Sequence, residues 1–337
     1  MFIWQKVLES SEEMFLIQME YKRGILSDGK YINSTHLTGM HFLLKLLFFP
    51  PVNFVLSRSL RPFHACIPVR YQFPVNGIFR LRVSDRTSLL IETNYTSHLG
   101  RLLFWQGIRG FEYPSVRLFM ELVKDAQVFM DIGANFGYYS LLAAALNNRI
   151  RIVAFEPLPA ARWYFQKNIS LNNFKNILVE PLALAGREGE MDFFIPVSAD
   201  FPELVFQLPG DGSLVNYDES RRKGIRVGTT TLDRYVQLKA IPRIDIIKID
   251  TETTEHLILE HGREVLSRCR PLIFCEVIRG YKEEKVTELL KQERYLFFEV
   301  SEDGLREIPA LTESPLQKND FILIPEEKNG LIGKFVN

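Results

Sequence analysis

The chain has 337 residues, of which 46% are hydrophobic and 24% are charged, a composition typical of a soluble globular protein with a sizeable core. Its 41 basic and 41 acidic residues give a formal net charge of +0, which argues against nucleic acid as a partner. The 3 cysteines form no Cys-x-x-Cys pair, which argues against a disulfide framework and favours a reducing, cytoplasmic compartment.

The most apolar stretch near the start of the chain runs from His41 to Leu56. A membrane-spanning helix needs about 20 nearly uninterrupted apolar residues, whereas Lys45 and the Pro50–Pro51 pair interrupt this stretch. We therefore expect a helix packed against the domain and no transmembrane segment, with a weak peripheral contact to a membrane surface as the alternative.

Short β-rich runs follow between Ile67 and Asn94, and Asn76–Gly77 between the first two runs is a strong hairpin signal. Apolar residues at helical spacing from Glu112 to Val123 predict an amphipathic helix. We therefore predict an N-terminal extension over residues 1–110, made of a helical segment and a β-hairpin region, and a second domain over residues 111–337.

From Gln127 onward, apolar runs typical of strands buried on both faces alternate with helical segments. Such alternation predicts an α/β fold with right-handed crossovers and a mostly parallel, doubly wound sheet. An irregular region near residues 189–228 interrupts the rhythm, and we interpret it as an insertion that contains a strand, MDFFIPV. The last predicted strand is NDFILIPEE, which begins at Asn319.

The stretch FMDIGANFGYYS, from Phe129 to Ser140, places two glycines between a strand and a helix N-terminus, where nucleotide-like ligands bind. We expect Gly133 to permit the tight turn and Gly137 to let the ligand approach the start of the helix. Asp131, at the strand end, suits a cationic ligand such as S-adenosylmethionine, which carries a sulfonium and an ammonium group.

A dinucleotide fingerprint would require glycine where this chain has Asn135 and Tyr138, so a dinucleotide-dependent oxidoreductase is the less favoured alternative. Glu156 ends the second strand and can accept hydrogen bonds from both hydroxyls of a ribose, or it only begins a turn. Ala183 and Leu184 follow the third strand, where they can offer backbone groups and apolar surface to an adenine ring. The predicted cofactor site consists of Asp131, Gly133, Asn135, Gly137, Glu156, Ala183 and Leu184.

Six blocks, in order, resemble the FkbM family of S-adenosylmethionine-dependent methyltransferases, and they extend from about Asp125 to Val277. The blocks are FMDIGANFGYYSLLAAA, VAFEPLPAARWYFQKNISLNN, VEPLALAGREGEMDFFI, TTLDRY, IDIIKIDTETTEHLILEHG and RPLIFCEV. The resemblance implies a class I methyltransferase fold, with a seven-stranded sheet whose last strand is antiparallel. It also implies S-adenosylmethionine as cofactor and methyl transfer to a hydroxyl of a sugar, glycolipid, polysaccharide or secondary metabolite.

The chain departs from the family pattern after the fourth strand, where members usually read Asp-Val-Glu-Gly-Ala-Glu. In the corresponding segment, Asp250 to Glu255, the glycine is replaced by Thr253. A β-branched residue disfavours positive φ, so we expect the turn that aims the acids to differ, which bears on the substrate more than on the cofactor. The same substitution is the support for a third interpretation, a catalytically inactive binding subunit.

Methyl transfer to oxygen needs a positioned hydroxyl and usually a base. Asp250 and Glu252 follow one central strand and Glu276 ends its neighbour, so these three carboxylates are predicted to be catalytic and to meet at one crevice. They can hold a base, orient a sugar diol or bind a divalent cation, and we favour the metal-free base. The alternatives are that Asp250 and Glu252 cap the following helix, or that His256 is the base.

Three further features are interpreted in structural terms. The basic run RRKGIR, Arg221 to Arg226, is typical of a solvated loop, with a clamp on a substrate phosphate as the alternative. Tyr138 and Tyr139 are expected to lie half in the core and half against the cofactor. Cys275 is expected to be a small buried hydrophobe rather than a nucleophile.

Overall fold

The protein was analysed as a computed structural model, and the structure describes residues 50–68, 72–196, 208, 214, 222–315 and 318–336. Residues 41–49 of the predicted apolar helix lie outside this set, whereas its continuation forms α1 (Pro50–Leu60). A turn of 3₁₀-helix, Arg61–Cys66, follows α1. In the described part of the chain, none of the helices is long and apolar enough to cross a membrane.

A hairpin is present in the predicted region, but the prediction that it turns at Asn76–Gly77 is wrong, because it joins the second and third β-rich runs. β1 (Gly77–Arg82) pairs antiparallel with β2 (Ser88–Thr93), so Gly77 begins the first strand instead of forming the turn. The segment before Gly77 is held by α1, because the Asn53 side chain accepts a hydrogen bond from the Asn76 N–H and donates one to the Pro74 carbonyl. A distant side chain therefore outweighs the local turn preference.

The helices that follow the hairpin are α2 (His98–Gln106) and α3 (Tyr113–Leu122), and α3 is the predicted amphipathic helix. Ser97 begins α2 as its N-cap by accepting a hydrogen bond from the Gly100 N–H. Phe104 and Phe119, one from each helix, are fully buried in the same hydrophobic cluster.

The remaining elements follow the predicted alternation in the central sheet, whereas β6, β8 and β12 were not predicted as separate strands. The strands are β3 (Val128–Ile132), β4 (Arg151–Phe155), β5 (Ile177–Glu180), β6 (Leu182–Leu184), β7 (Gly189–Pro196), β8 (Arg222–Thr230), β9 (Ile246–Ile249), β10 (Leu272–Ile278), β11 (Tyr295–Ser301), β12 (Gly304–Ile308) and β13 (Lys318–Pro325). The helices are α4 (Tyr138–Leu146), α5 (Pro159–Leu171), α6 (Leu232–Leu238), α7 (Glu255–Glu260), α8 (Arg263–Cys269) and α9 (Glu283–Gln292).

The central sheet has the strand order β12-β11-β13-β10-β9-β3-β4-β5. β5, β4, β3, β9 and β10 are parallel, and β13 runs antiparallel to both β10 and β11. The doubly wound sheet with an antiparallel last strand is thus confirmed, and β12 adds an eighth strand at one edge. Hydrophobic clusters cover both faces of the sheet, which explains why its central strands read as unbroken apolar runs.

A second, three-stranded sheet has the order β6-β8-β7 and contains the predicted strand of the insertion. Arg221 and most of the insertion before it lie outside the described residues. The prediction that Arg221 to Arg226 form a loop is wrong for Arg222–Arg226, which belong to β8. Arg226 lies 3.5 Å from Glu190 and 3.4 Å from Asp192 on the neighbouring strand, so cross-strand charge pairing holds it in the sheet.

Candidate active site

A cleft of about 560 Å³ lies at the carboxyl ends of β3, β4, β9 and β10. Its volume suits a small-molecule ligand, and open α/β sheets bind ligands at this edge. The predicted site residues that line it are Asp131, Gly133, Asn135, Glu156, Ala183, Leu184, Asp250, Glu252 and Glu276. The structure therefore brings together the two groups that the sequence predicted separately, one for a cofactor and one for catalysis.

The turn between β3 and α4 forms the floor of the cleft. Gly133 has φ 82° and Asn135 has φ 51°, so both adopt the left-handed conformation of a tight turn. A Cβ atom at Gly133 would lie 1.8 Å from the carbonyl oxygen of Asp250. Glycine is needed there because the end of β9 approaches the turn closely.

Gly137 does not line the cleft, so a contact between this residue and a ligand stays a prediction. Its φ is 90°, and an added Cβ would lie within 2.1 Å of the Phe165 ring of α5. This glycine therefore lets the start of α4 pack against α5.

Asp131 joins the cleft to the first turn of α4. Its Oδ2 accepts hydrogen bonds from the Ser140 backbone N–H at 3.1 Å and from the Ser140 hydroxyl at 2.6 Å. Burial raises the pKa of Asp131 to about 6, although the hydrogen bonds from Ser140 oppose this rise. The carboxylate thus fixes the helix as well as facing the cleft.

Glu156 holds two backbone segments at the end of β4. Its Oε2 accepts a hydrogen bond from the Asn135 N–H at 2.7 Å, and its Oε1 accepts one from the Leu158 N–H at 2.8 Å. The turn-forming role that was the alternative for Glu156 is therefore real. A carboxylate oxygen can accept two hydrogen bonds, so each oxygen of Glu156 retains capacity for a hydroxyl of a ligand. Burial raises its pKa to about 7 against these hydrogen bonds.

The wall next to Glu156 is apolar. Ala183 and Leu184 of β6 are both buried, and Phe193 of β7 and Leu214 of the insertion complete the wall with Leu158. The insertion thus contributes side chains to the cleft, which the sequence did not predict. An apolar wall beside a carboxylate suits a nucleoside, which has an apolar base face and ribose hydroxyls.

The other half of the cleft surrounds Lys248, a residue that the sequence reasoning missed. Lys248 is only 3% exposed, and its Nζ lies 3.5 Å from Asp250 Oδ2 and 3.7 Å from Glu112 Oε2. Burial alone would lower the pKa of this lysine, but the surrounding carboxylates, Glu112 first, raise it well above the usual value. A lysine inside the apolar strand IDIIKID was the signal that could have identified it.

Asp250 and Glu276 form a coupled pair of carboxyl groups. Burial, and then the negative charge of Asp250, raise the pKa of Glu276 to about 10. The two groups therefore titrate as a pair, and Lys248, 3.5 Å from Asp250, favours negative charge on the Asp250 side. One oxygen of each of these two residues and one of Glu252 lie within 4.8 Å of one another, a spacing compatible with a shared proton as well as with a shared cation.

The loop after β9 positions these acids without using them as helix caps. Glu255 holds the loop, because its Oε1 accepts hydrogen bonds from the backbone N–H groups of Thr251 and Thr253. Thr254 is the N-cap residue of α7 and makes no side-chain capping hydrogen bond, so neither Asp250 nor Glu252 occupies the N-cap position. Thr253 has φ 97°, which means that it keeps a backbone conformation suited to glycine despite its branched side chain.

The remaining candidates divide clearly. His256 does not line the cleft, whereas Tyr138 and Tyr139 do, and both tyrosines are buried. The Tyr139 hydroxyl donates a hydrogen bond to Glu112 Oε2 at 2.8 Å. Cys275 is buried in the core, as expected for a small hydrophobe.

The strand order and the glycine turn below the cleft define a class I methyltransferase fold. Residues 131–302, about half of the chain, match the family model described as the methyltransferase FkbM domain. The chain therefore belongs to the FkbM methyltransferase family. It is also similar to 2-O-methyltransferase NoeI of Sinorhizobium fredii (strain NBRC 101917 / NGR234), at 27% identity over 177 residues that cover 50% of this chain and 71% of the relative.

Solved structures are similar only at a distance. An O-methyltransferase from Bacillus cereus in complex with SAH matches with a TM-score of 0.36 and 16% identity, over 62% of this chain and 79% of that chain. TYW2 of M. jannaschii in complex with AdoMet matches with a TM-score of 0.37 and 10% identity, over 74% and 86% of the respective chains. These scores are low, so the fold assignment rests on the strand order and on the family match.

Proposed function

We propose that this protein is an S-adenosylmethionine-dependent O-methyltransferase whose acceptor is a hydroxyl of a sugar, glycolipid, polysaccharide or secondary metabolite. The observation that carries the proposal is the division of one cleft into a nucleoside-type half and an acid-rich half around Lys248. Similarity to the relative NoeI, a 2-O-methyltransferase, supports transfer to oxygen.

The residues of the first half fit the proposed cofactor. Glu156 offers acceptor sites to the ribose hydroxyls, and Asp131 offers a carboxylate to a cationic group. The wall of Ala183, Leu184 and Phe193 offers apolar surface to the adenine. When bound, the cofactor supplies an electrophilic methyl group and keeps the electron pair of the broken sulfur–carbon bond.

The acid-rich half fits a hydroxyl acceptor. The hydroxyl must lose its proton as its oxygen gains the methyl group, and Asp250 is the carboxylate placed to take that proton. Glu276 is less suited to this role, because burial and the charge of Asp250 raise its pKa. Lys248 supplies a positive charge 3.5 Å from Asp250, which favours negative charge on this carboxyl group.

The proposal also includes a domain division and a cellular compartment. The proposal divides the chain into an extension at 1–110 and a methyltransferase domain at 111–337, and it is supported by His98 and Leu99, from the described part of the first range, which line the cleft. The unpaired cysteines Cys66, Cys269 and Cys275 support a reducing, cytoplasmic compartment.

The first experiment is calorimetry with S-adenosylmethionine, S-adenosylhomocysteine and NAD. We expect binding of the first two, whereas binding of NAD alone would overturn the proposal in favour of an oxidoreductase. Binding of none of the three would favour an inactive binding subunit, although Thr253 preserves the loop that such a subunit was expected to lose.

The second experiment is methyl transfer to a panel of methyl glycosides by variants of the coupled pair. Asp250→Asn should reduce turnover by about 10²–10⁴-fold because it removes the base. Glu276→Gln should keep turnover within about tenfold, because an amide resembles the protonated carboxyl. Asp85→Asn, on the exposed β1–β2 turn, is the control, and EDTA should have no effect. Full activity of Asp250→Asn would place the base elsewhere.

A further inference from the structure

Glu112 has the geometry of a residue held in place for a ligand. It lies immediately before α3 with φ 43° and ψ 38°, a left-handed conformation that costs a non-glycine residue energy. Its side chain is only 13% exposed and lines the cleft. Both of its contacts, to the Tyr139 hydroxyl and to Lys248, fall on Oε2, and among the described residues none donates a hydrogen bond to Oε1.

The start of α3 is fixed on the sheet from two sides. The Ser115 hydroxyl donates a hydrogen bond to Asp320 Oδ2 of β13 at 2.6 Å, while Tyr139 of α4 holds Glu112 at 2.8 Å. Ser115 is one helical turn from Glu112, so these two contacts set the direction of the Glu112 carboxylate. Such double anchoring is what a precisely placed ligand contact requires.

Tyr138 provides an independent sign of a ligand at the same place. It is 2% exposed and lines the cleft, yet its hydroxyl has no hydrogen-bond partner among the residues that the structure describes. A buried hydroxyl without a partner is costly unless a ligand satisfies it. Burial, and then the negative charge of Glu112, raise the pKa of Tyr138, so this phenol keeps its proton and can donate it to a neighbouring oxygen.

We infer that Glu112 and Tyr138 bind a second hydroxyl of the acceptor, next to the hydroxyl that is methylated, so that the protein selects a vicinal diol of an uncharged sugar. The bound hydroxyl donates its hydrogen bond to Glu112 and accepts one from Tyr138. This inference rests on the proposed O-methyltransferase function and deepens it, because it names the chemistry of the acceptor.

The charges around the site favour this class of acceptor. The carboxyl groups of Glu112, Asp250, Glu276 and Asp320 surround the single charge of Lys248, which already lies 3.5 Å from Asp250. A phosphate or carboxylate on the reacting sugar would add a negative charge beside Asp250, whereas neutral hydroxyls find acceptors. Sugar diols therefore match the site better than anionic acceptors.

The test compares each methyl glycoside that is methylated with its deoxy analogue, which lacks the neighbouring hydroxyl. For the wild-type protein, we expect kcat/KM to fall about 10- to 100-fold on deoxygenation, because the buried polar groups of Glu112 and Tyr138 are then left without their hydrogen-bond partner. In Glu112→Gln and in Tyr138→Phe, we expect the KM of the parent glycoside to rise, so that most of its advantage in kcat/KM over the deoxy analogue is lost. The parent and deoxy compounds should then react at similar rates.

Controls separate this inference from the proposed function. Glu121→Gln on α3 and Tyr281→Phe at an exposed position should keep the wild-type discrimination. Cofactor affinity by calorimetry should be unchanged in Glu112→Gln and Tyr138→Phe. If these two variants bind cofactor and still discriminate as the wild type does, the inference is overturned. It is also overturned if the wild type binds cofactor but methylates none of the glycosides, whereas failure to bind cofactor overturns the proposed function itself.

Discussion

The role of Gly137 can be tested by its replacement with alanine. The residue has φ 90°, where a side chain costs about 1–2 kcal/mol. The added Cβ would also lie within 2.1 Å of the Phe165 ring, and such overpacking costs typically about 1–3 kcal/mol. We therefore expect Gly137→Ala to lower the free energy of unfolding by about 2–5 kcal/mol, measured by urea denaturation.

Gly280→Ala is the matched control for this substitution. Gly280 has φ 88°, but no atom lies within 4 Å of a Cβ added there, so only the backbone cost of about 1–2 kcal/mol should appear. The difference between the two variants isolates the contact with Phe165, and Phe165→Ala should reduce that difference by making room. Equal losses in both variants would refute the packing argument. So would a stable Gly137→Ala protein that has lost cofactor binding, since that result would restore a role for Gly137 at the ligand.

Two further predictions concern stability. Burial raises the pKa of Glu112 from 4.5 to about 8, so the folded state keeps a proton that the unfolded chain releases, and stability should fall as pH rises through this window. Between about pH 5 and 8, the free energy of unfolding of Glu112→Gln should fall by about 1–3 kcal/mol less than that of the wild type, as measured by urea titrations. An unchanged slope of this free energy against pH would contradict the prediction. The charged and titratable groups that face Glu112 are Lys248, Asp250, Glu276, Asp320, Tyr138 and Tyr139. Thr253→Gly should raise the free energy of unfolding by about 0.5–1 kcal/mol, because the strain energy relieved at φ 97° exceeds the entropic cost of the more flexible unfolded chain. A decrease in this free energy would show that Thr253 is not strained.

The sheet was predictable because its signal is local. β3 is buried at each of its positions and β9 likewise, and such strands appear in the sequence as unbroken apolar runs between helices. The hairpin turn was not predictable from Asn76–Gly77, because the contact that decides it comes from Asn53 in α1. The same limit applies to Gly137, because the Phe165 ring on another helix is what requires glycine at this position.

The residues of the nucleoside-type half of the cleft could be predicted from strand order alone. Asp131 and Glu156 end β3 and β4, which are neighbours in both the sequence and the sheet, so their proximity could be predicted. Lys248, Glu112 and Asp320 come from β9, from the residue before α3 and from β13. Their meeting depends on the packing of α3 across the sheet, which no local pattern encodes.

This difference limits how far the acceptor of a relative can be assigned to this chain. Residues 131–302 match the family domain, and they include Asp131, Glu156 and Asp250. Glu112 and Asp320 lie outside that range, although one contacts Lys248 and the other anchors the helix that follows Glu112. The matched range thus contains the proposed cofactor half, the base and Tyr138, whereas Glu112, which we propose orients the acceptor, lies outside it. The acceptor must accordingly be sought with variants at Glu112, rather than inferred from the substrate of any relative.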